Sequence, residues 1–162
     1  EWYLQQNKWP PTPVGPPSAR PLSFAMRLVG HSAGGHLVAR MMCRDVLPDT
    51  VAGRLARVVS VSGVHELLPL VATAMNDILN LTAEEAAAES PARCTPLQGV
   101  PFTAWVGAQE RPEFLRQARL IEEAWARAGV QVSAVYAPGH HHFSVIEGLA
   151  RPDDPLTREV LL

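Results

Sequence analysis

The sequence predicts an α/β fold in which a mostly parallel sheet is flanked by helices. Short apolar segments rich in β-branched residues alternate with segments of helical periodicity, and this alternation is typical of parallel sheets covered on both faces. A glycine-rich turn containing a serine separates the first predicted strand from the first predicted helix. Polar loops follow the strands, where parallel sheets place their ligands.

Four strands are predicted, over residues 25–29, 57–63, 102–107 and 130–136. Helices are predicted over residues 36–42, through much of 64–93, over 114–128 and over 143–150. The third helix has the clearest pattern, because Phe114, Ala118, Ile121 and Trp125 recur every three or four residues. Thr82 and Glu85 fit a capping box, which predicts a helix start at that point.

The chain divides into a leader and one domain. Six prolines fall within residues 10–21, and that density favours an extended, irregular segment over residues 1–21. Residues 22–162 then form one predicted domain, in which residues 64–93 are a helical insertion that resembles a cap.

Composition excludes several function classes. The chain has 162 residues, 47% of them hydrophobic, and a formal net charge of -2. We therefore expect no nucleic-acid partner and no membrane partner. Cys43 and Cys94 are too few for a disulfide framework, and the N-terminus lacks the order of a signal peptide, so a reducing, cytoplasmic compartment is expected.

Residues 30–35 (GHSAGG) carry the strongest functional signal. They fit the G-x-S-x-G pattern that places a serine on a strained turn between a strand and a helix. The turn would present Ser32 Oγ as a nucleophile, and the N–H of Ala33 would face a developing oxyanion. The glycines on both sides are expected for steric reasons. The alternative is a glycine- and serine-rich loop without chemistry.

A serine nucleophile needs a base and an acid that orients the base. The loop after the fourth strand offers three consecutive histidines, at residues 140–142, and the loop after the third strand offers Glu110 and Glu113. The three histidines also raise the alternative of a metal site, but adjacent loop residues rarely aim three imidazoles at one ion. We expect neither a metal nor a cofactor.

Several segments together resemble kynurenine formamidase (arylformamidase), a family of α/β-hydrolases. They are residues 30–37 (GHSAGGHL), 61–67 (VSGVHEL), 80–86 (NLTAEEA), 112–117 (PEFLRQ) and 142–146 (HFSVI). The resemblance covers about residues 25–162 and is more specific than the serine turn alone. It implies the C-terminal portion of an α/β-hydrolase fold.

The resemblance assigns roles to individual residues. Ser32 matches the nucleophile, His142 the base and Glu110 the acid, although the family usually has aspartate at that position. Glu113 is the alternative acid, with a helix-dipole role as its other interpretation. His31 and His65 are predicted to contact the substrate, and packing histidines are the alternative for His65 and His36.

The implied reaction is hydrolysis of an aryl formamide, N-formyl-L-kynurenine, to L-kynurenine and formate. No segment matches the His-Gly-Gly loop that completes the oxyanion hole in the family, so low activity of this chain is also expected. A short-chain carboxylesterase and a non-catalytic hydrolase fragment are the alternatives. The expected partner is a small-molecule substrate, and a homodimer is one assembly that the sequence leaves open.

Overall fold

The computed structural model describes residues 25–162, and the predicted leader at 1–21 lies outside the described residues. Four strands form one sheet in the order β1-β2-β3-β4, and every neighbouring pair is parallel. The strands are β1 (Met26–His31), β2 (Leu55–Val61), β3 (Phe102–Gly107) and β4 (Val132–Ala137). The predicted parallel sheet flanked by helices is confirmed.

Seven helices accompany the sheet in the described part of the chain. They are α1 (Ala33–Arg40), α2 (Asp49–Ala52), α3 (Leu68–Val71), α4 (Asn76–Leu79), α5 (Ala83–Ala88), α6 (Pro112–Arg127) and α7 (Pro155–Leu161). Two 3₁₀ segments, Pro91–Arg93 and Ser144–Ala150, complete the backbone.

The two central strands bury side chains on both faces of the sheet. On one face, Val58 and Phe102 pack with α1 and α6 in a core that includes Ile121 and Trp125. On the other face, Val61 and Trp105 belong to a second core that includes Leu156 of α7. This double burial explains why these strands are continuous apolar runs in the sequence.

The segment at 64–93 differs in detail from its predicted form. It contains three helices of one to two turns followed by a 3₁₀ turn, instead of longer helices. The capping box is present as predicted, with Glu85 N donating to Thr82 Oγ1 at 3.1 Å and Thr82 N donating to Glu85 Oε2 at 2.9 Å. The cap-like role of residues 64–93 as an insertion over the domain stays a prediction.

Helix α7 was not predicted from the sequence. Its start has a clear local signal, because the Asp154 carboxylate accepts the Leu156 N–H at 3.0 Å and Pro155 occupies the first turn. The short length of the helix, seven residues, explains why its periodicity was not recognised.

The two cysteines form a disulfide, although their number predicts no disulfide framework. Cys43 is buried, and its sulfur is bonded to that of Cys94 across a separation of 51 residues. The backbone explains the pairing: Arg44 N donates to Thr95 O at 3.0 Å, so residues 94–96 run beside the end of α1. Such a long-range contact cannot be read from cysteine spacing.

We expect reduction of the Cys43–Cys94 bond to lower the free energy of unfolding by about 2–4 kcal/mol, because a cross-link across 51 residues restricts the unfolded chain. Urea unfolding with and without a reductant measures this difference. The Cys43→Ala/Cys94→Ala double variant is the control and should not respond to the reductant. Equal stability of the oxidised and reduced wild-type chain would contradict the expectation.

Among residues 25–162, no helix is both long enough and apolar enough to cross a membrane. The carboxyl ends of the four parallel strands lie at one edge of the sheet. The residues that follow them, including Ser32 after β1, Glu110 after β3 and His142 after β4, therefore gather at that edge.

Candidate active site

Ser32 lies on a strained turn between β1 and α1. Its φ of 56° and ψ of -116° are unusual for a residue with a side chain. The turn is fixed by the Ser32 N–H, which donates to Val61 O at 2.9 Å, and by the His36 N–H, which donates to Ser32 O at 3.1 Å. The first helical residue is Ala33, so its N–H lies in the first turn of α1 next to the serine.

Two glycines around Ser32 have the predicted steric role and one does not. A Cβ on Gly30 would lie 2.1 Å from Gly34 O, and a Cβ on Gly35 would lie 2.8 Å from Gly63 Cα. A Cβ on Gly34 would meet no atom within 4 Å among the described residues, so the steric prediction is wrong for that glycine. Close approach of β1, α1 and the loop after β2 explains the other two.

His142 contacts both of the other predicted catalytic side chains. Its Nε2 lies 3.1 Å from Ser32 Oγ, and its Nδ1 lies 2.7 Å from Glu110 Oε2. Because a carboxylate can only accept, Nδ1 carries the proton and Nε2 is free to accept the Ser32 hydroxyl proton. The loops after β1, β3 and β4 thus bring three residues together that are up to 110 positions apart.

Glu110 is held in place by three hydrogen bonds and its side chain is fully buried. Oε1 accepts the Ser62 hydroxyl at 2.5 Å and the Gly107 N–H at 2.9 Å, and Oε2 faces His142. Both oxygens therefore have partners, and the carboxylate plane is fixed against the imidazole.

Glu113, the alternative acid, lies in a different environment. Its carboxylate accepts from Arg116 at 2.7 and 2.8 Å and from Gln117 Nε2 at 2.7 Å. The Arg116 guanidinium lowers the pKa of Glu113 below its ordinary value. Its partners are thus side chains of its own helix, whereas Glu110 is the carboxylate that faces His142.

Three rings surround the imidazole of His142. The ring centroids of Phe114, His31 and Phe143 lie 4.4, 4.8 and 5.4 Å from it. His31 also donates from Nε2 to the backbone carbonyl of His142 at 2.7 Å, since a carbonyl only accepts. His31 therefore ties the serine turn to the histidine loop, whether or not it touches a substrate.

His65 is buried away from the surface, with 1% of its area exposed. Its Nδ1 lies 3.1 Å from Gln117 O and its Nε2 lies 2.9 Å from Ser60 Oγ. This burial conflicts with the predicted substrate contact and favours the alternative, a packing histidine. His36 also makes a packing contact with the backbone, since its Nδ1 lies 2.9 Å from Val64 O.

Burial lowers the pKa of His65 from 6.5 to about 4. The unfolded chain takes up a proton here near pH 6.5, whereas the folded chain does not until about pH 4. We therefore expect stability to fall as the pH drops through this window, since the unfolded state binds more protons there. In His65→Asn, the free energy of unfolding measured with urea should fall less steeply as the pH drops across this range. A pH dependence equal to that of the wild-type chain would contradict the expectation.

The three consecutive histidines make three different sets of contacts. His142 faces Ser32 and Glu110, whereas His141 Nδ1 accepts the N–H groups of Phe143 and Ser144 at 3.2 and 3.3 Å. His140 lines a separate cavity with Trp105 and Val145. Within residues 25–162, no group of three metal-ligating side chains converges.

An apolar cavity of about 440 Å³ adjoins the site. Residues of the loop after β2, of α3, of the connection from α3 to α4 and of α6 line it, including Val64, Leu70, Met75 and Phe114. Because Phe114 packs against His142, the cavity and the imidazole share one wall.

Sequence reasoning missed two supporting side chains. Ser62, with a φ of 50°, follows β2 directly and donates its hydroxyl to Glu110. Gln117 is buried on α6, and its Oε1 accepts the N–H groups of His65 and Glu66, each at 2.8 Å. A glutamine on the apolar face of a strongly amphipathic helix was the one available signal for this contact.

The parallel sheet, the serine turn and the ordered contacts among Ser32, His142 and Glu110 define an α/β-hydrolase fold. Solved structures agree: a thermophilic esterase from Thermogutta terrifontis has a TM-score of 0.55 at 23% identity, covering 82% of this chain and 50% of that one. An acylaminoacyl peptidase from Pyrococcus horikoshii has a TM-score of 0.57 at 16% identity, covering 82% and 22%. These two likenesses show the fold alone.

The predicted resemblance to kynurenine formamidases is confirmed by curated relatives of that name. The Danio rerio kynurenine formamidase is 33% identical over 139 residues, which are 83% of this chain and 47% of that protein. The Salmo salar kynurenine formamidase is 31% identical over 140 residues, covering 83% and 48%. The chain thus spans about half the length of these relatives.

A further solved structure, a candidate thioesterase from Silicibacter sp. TM1040, is 42% identical with a TM-score of 0.80 and covers 86% of this chain and 51% of that one. No protein-family model matches the chain.

Proposed function

We propose that the chain carries the catalytic residues of a serine hydrolase that cleaves aryl formamides, with N-formyl-L-kynurenine as substrate. The observation that supports this most directly is the contact series from Glu110 through His142 to Ser32. The relatives named kynurenine formamidase support the choice of substrate. The products are L-kynurenine and formate, which places the reaction in tryptophan catabolism.

In the first half of the reaction, Ser32 Oγ attacks the formyl carbon while His142 Nε2 takes its proton. Glu110 stabilises the imidazolium that forms, and the Ala33 N–H donates to the oxyanion. The carbon–nitrogen bond then breaks, and His142 returns the proton to the departing aniline nitrogen. Formyl-Ser32 and free kynurenine remain.

In the second half, water attacks the formyl carbon of the ester while His142 again takes a proton. The carbon–oxygen bond to Ser32 breaks, the proton returns to Ser32 Oγ, and formate leaves. His142 thus acts first as a base and then as an acid in each half. No cofactor takes part in either half.

Hydrolysis of an ester or thioester is the second candidate function. The similarity to a candidate thioesterase at 42% identity favours it, and an ester would use the same three residues. The two functions differ in the leaving group, since an aniline nitrogen must be protonated as it departs and a phenolate or thiolate need not be.

Turnover of the full chain with three substrates tests the proposal: N-formylkynurenine, p-nitrophenyl acetate and an acetyl thioester. We expect the largest kcat/KM with the formamide. Strong preference for the ester or thioester with an untouched formamide would overturn the proposed substrate. If no substrate is turned over and a fluorophosphonate labels no serine, the non-catalytic alternative is correct.

The proposed partner is the small-molecule substrate, and the cytoplasm is the proposed compartment because the proposed reaction is metabolic. The Cys43–Cys94 disulfide bears on this point, since such bonds persist chiefly in oxidising compartments. Fractionation of cells that express the tagged protein distinguishes a cytoplasmic location from one in an oxidising compartment.

A further inference from the structure

We propose that the 440 Å³ cavity beside His142 holds the aromatic amino-acid half of the substrate and that Arg111 binds its carboxylate. This inference rests on the proposed function and extends it to the choice of leaving group. Arg111 follows Glu110 directly, lines the cavity and precedes the first residue of α6.

The walls of the cavity suit an aromatic ring. Leu70, Met75 and Phe114 are among the lining residues, and the lining is largely apolar. Phe114 lies 4.4 Å from the imidazole of His142, measured between ring centroids. A ring in contact with Phe114 would therefore be separated from the imidazole that must protonate its nitrogen by one aromatic side chain, and its formamide would extend past Phe114 towards His142.

One cationic side chain at the rim can bind an anion. Two carboxylates, Glu66 and Glu113, lie there, but both accept from Arg116, at 2.9 and 2.7 Å. Arg111 also lines the cavity, and within residues 25–162 it forms no ion pair. Arg111 is thus the rim guanidinium that no carboxylate of the described residues binds, in a rim whose formal charges, with Arg116 included, sum to zero.

The leaving half of N-formylkynurenine has the matching chemistry. It consists of an aromatic ring, a ketone and an amino acid whose carboxylate lies at the far end from the formamide. A guanidinium binds a carboxylate through two parallel N–H donors, which fixes its orientation as well as its charge. The ring would occupy the apolar walls while the carboxylate reaches the rim.

The kinetic test compares N-formylkynurenine with formanilide, an aryl formamide that lacks the amino acid. For Arg111→Ala, we expect the ratio of the KM for N-formylkynurenine to that for formanilide to rise about fivefold, as for a partly exposed ion pair. The matched control is Arg119→Ala, which removes an exposed arginine of α6 that does not line the cavity. An unchanged ratio in Arg111→Ala, or an equal rise in both variants, would overturn the inference.

A binding test does not depend on turnover. The wild-type chain should bind L-kynurenine about fivefold more tightly than ortho-aminoacetophenone, which has the same ring and ketone without the amino acid. Arg111→Ala should remove this difference and Arg119→Ala should keep it. Equal affinity of the wild-type chain for both compounds would overturn the assigned role of Arg111.

The apolar part of the cavity has its own pair of variants. Ala74 lines the cavity and Ala72 does not, and both are exposed on the same segment. Ala74→Trp should weaken kynurenine binding about tenfold or more by filling the cavity, whereas Ala72→Trp should not. Equal binding by the two variants would contradict the placement of the ring.

The outcomes separate this inference from the proposed function. Formamide hydrolysis without an Arg111 effect would leave the function standing and remove the subsite. Kynurenine binding that depends on Arg111 in a chain that does not hydrolyse formamides would support the subsite and overturn the proposed function.

Discussion

Replacing Ser32 with alanine is expected to lower kcat for N-formylkynurenine by roughly 10⁴- to 10⁶-fold, because removing the nucleophile of a triad removes nearly all of its joint effect. Ser32 Oγ is the atom that His142 Nε2 approaches at 3.1 Å. Steady-state kinetics on purified protein measure the change, with KM for the remaining activity as a second readout.

The control for Ser32→Ala is Ser133→Ala, which removes an exposed hydroxyl on β4 far from the serine turn. Both variants should unfold at the same urea concentration as the wild-type chain, within experimental error. More than a tenth of the wild-type kcat in a folded Ser32→Ala chain would contradict the assignment.

Replacing Glu110 with glutamine is expected to lower kcat by roughly 10³- to 10⁴-fold, by analogy with the loss of the orienting acid in other triads. An amide can offer its N–H₂ group to His142 Nδ1, and this favours the wrong tautomer of the imidazole. The buried Ser62 hydroxyl and Gly107 N–H would also lose a charged acceptor. Kinetics together with urea unfolding separate the two effects.

Glu113→Gln is the comparison for Glu110→Gln, since each removes one negative charge near the start of α6. Glu113 contacts Arg116 and Gln117 instead of His142. The kcat of Glu113→Gln should therefore be at least a hundredfold higher than the kcat of Glu110→Gln. A larger loss in Glu113→Gln than in Glu110→Gln would mean that the acid is misassigned.

The parts of the site that follow from local sequence were predictable. The serine turn needs a glycine at position 30, so the six residues 30–35, which include Ser32, are enough to predict it. Parallel strands also end at one edge of the sheet, so the loops after β3 and β4 were expected to meet Ser32. The family resemblance then distinguished His142 from His140 and His141.

The parts that depend on long-range packing were not predictable. Nothing near Cys43 indicates that Cys94 lies beside it, because the contact depends on the path of residues 44–95. The burial of His65 likewise depends on Gln117, which is 52 residues away and supplies its backbone and ring contacts. The sequence pattern predicts a strand over residues 57–63, which includes Ser62, because nothing in the sequence indicates the positive φ of this serine.

Fluorophosphonate labelling followed by peptide mass spectrometry tests the central claim most directly, because this probe reacts only with a serine that a neighbouring base activates. The account predicts a single adduct on Ser32 in the wild-type chain and a rate of labelling reduced by roughly 10³-fold or more in His142→Ala. An adduct on another serine, or labelling of Ser32 at the same rate without His142, would contradict it.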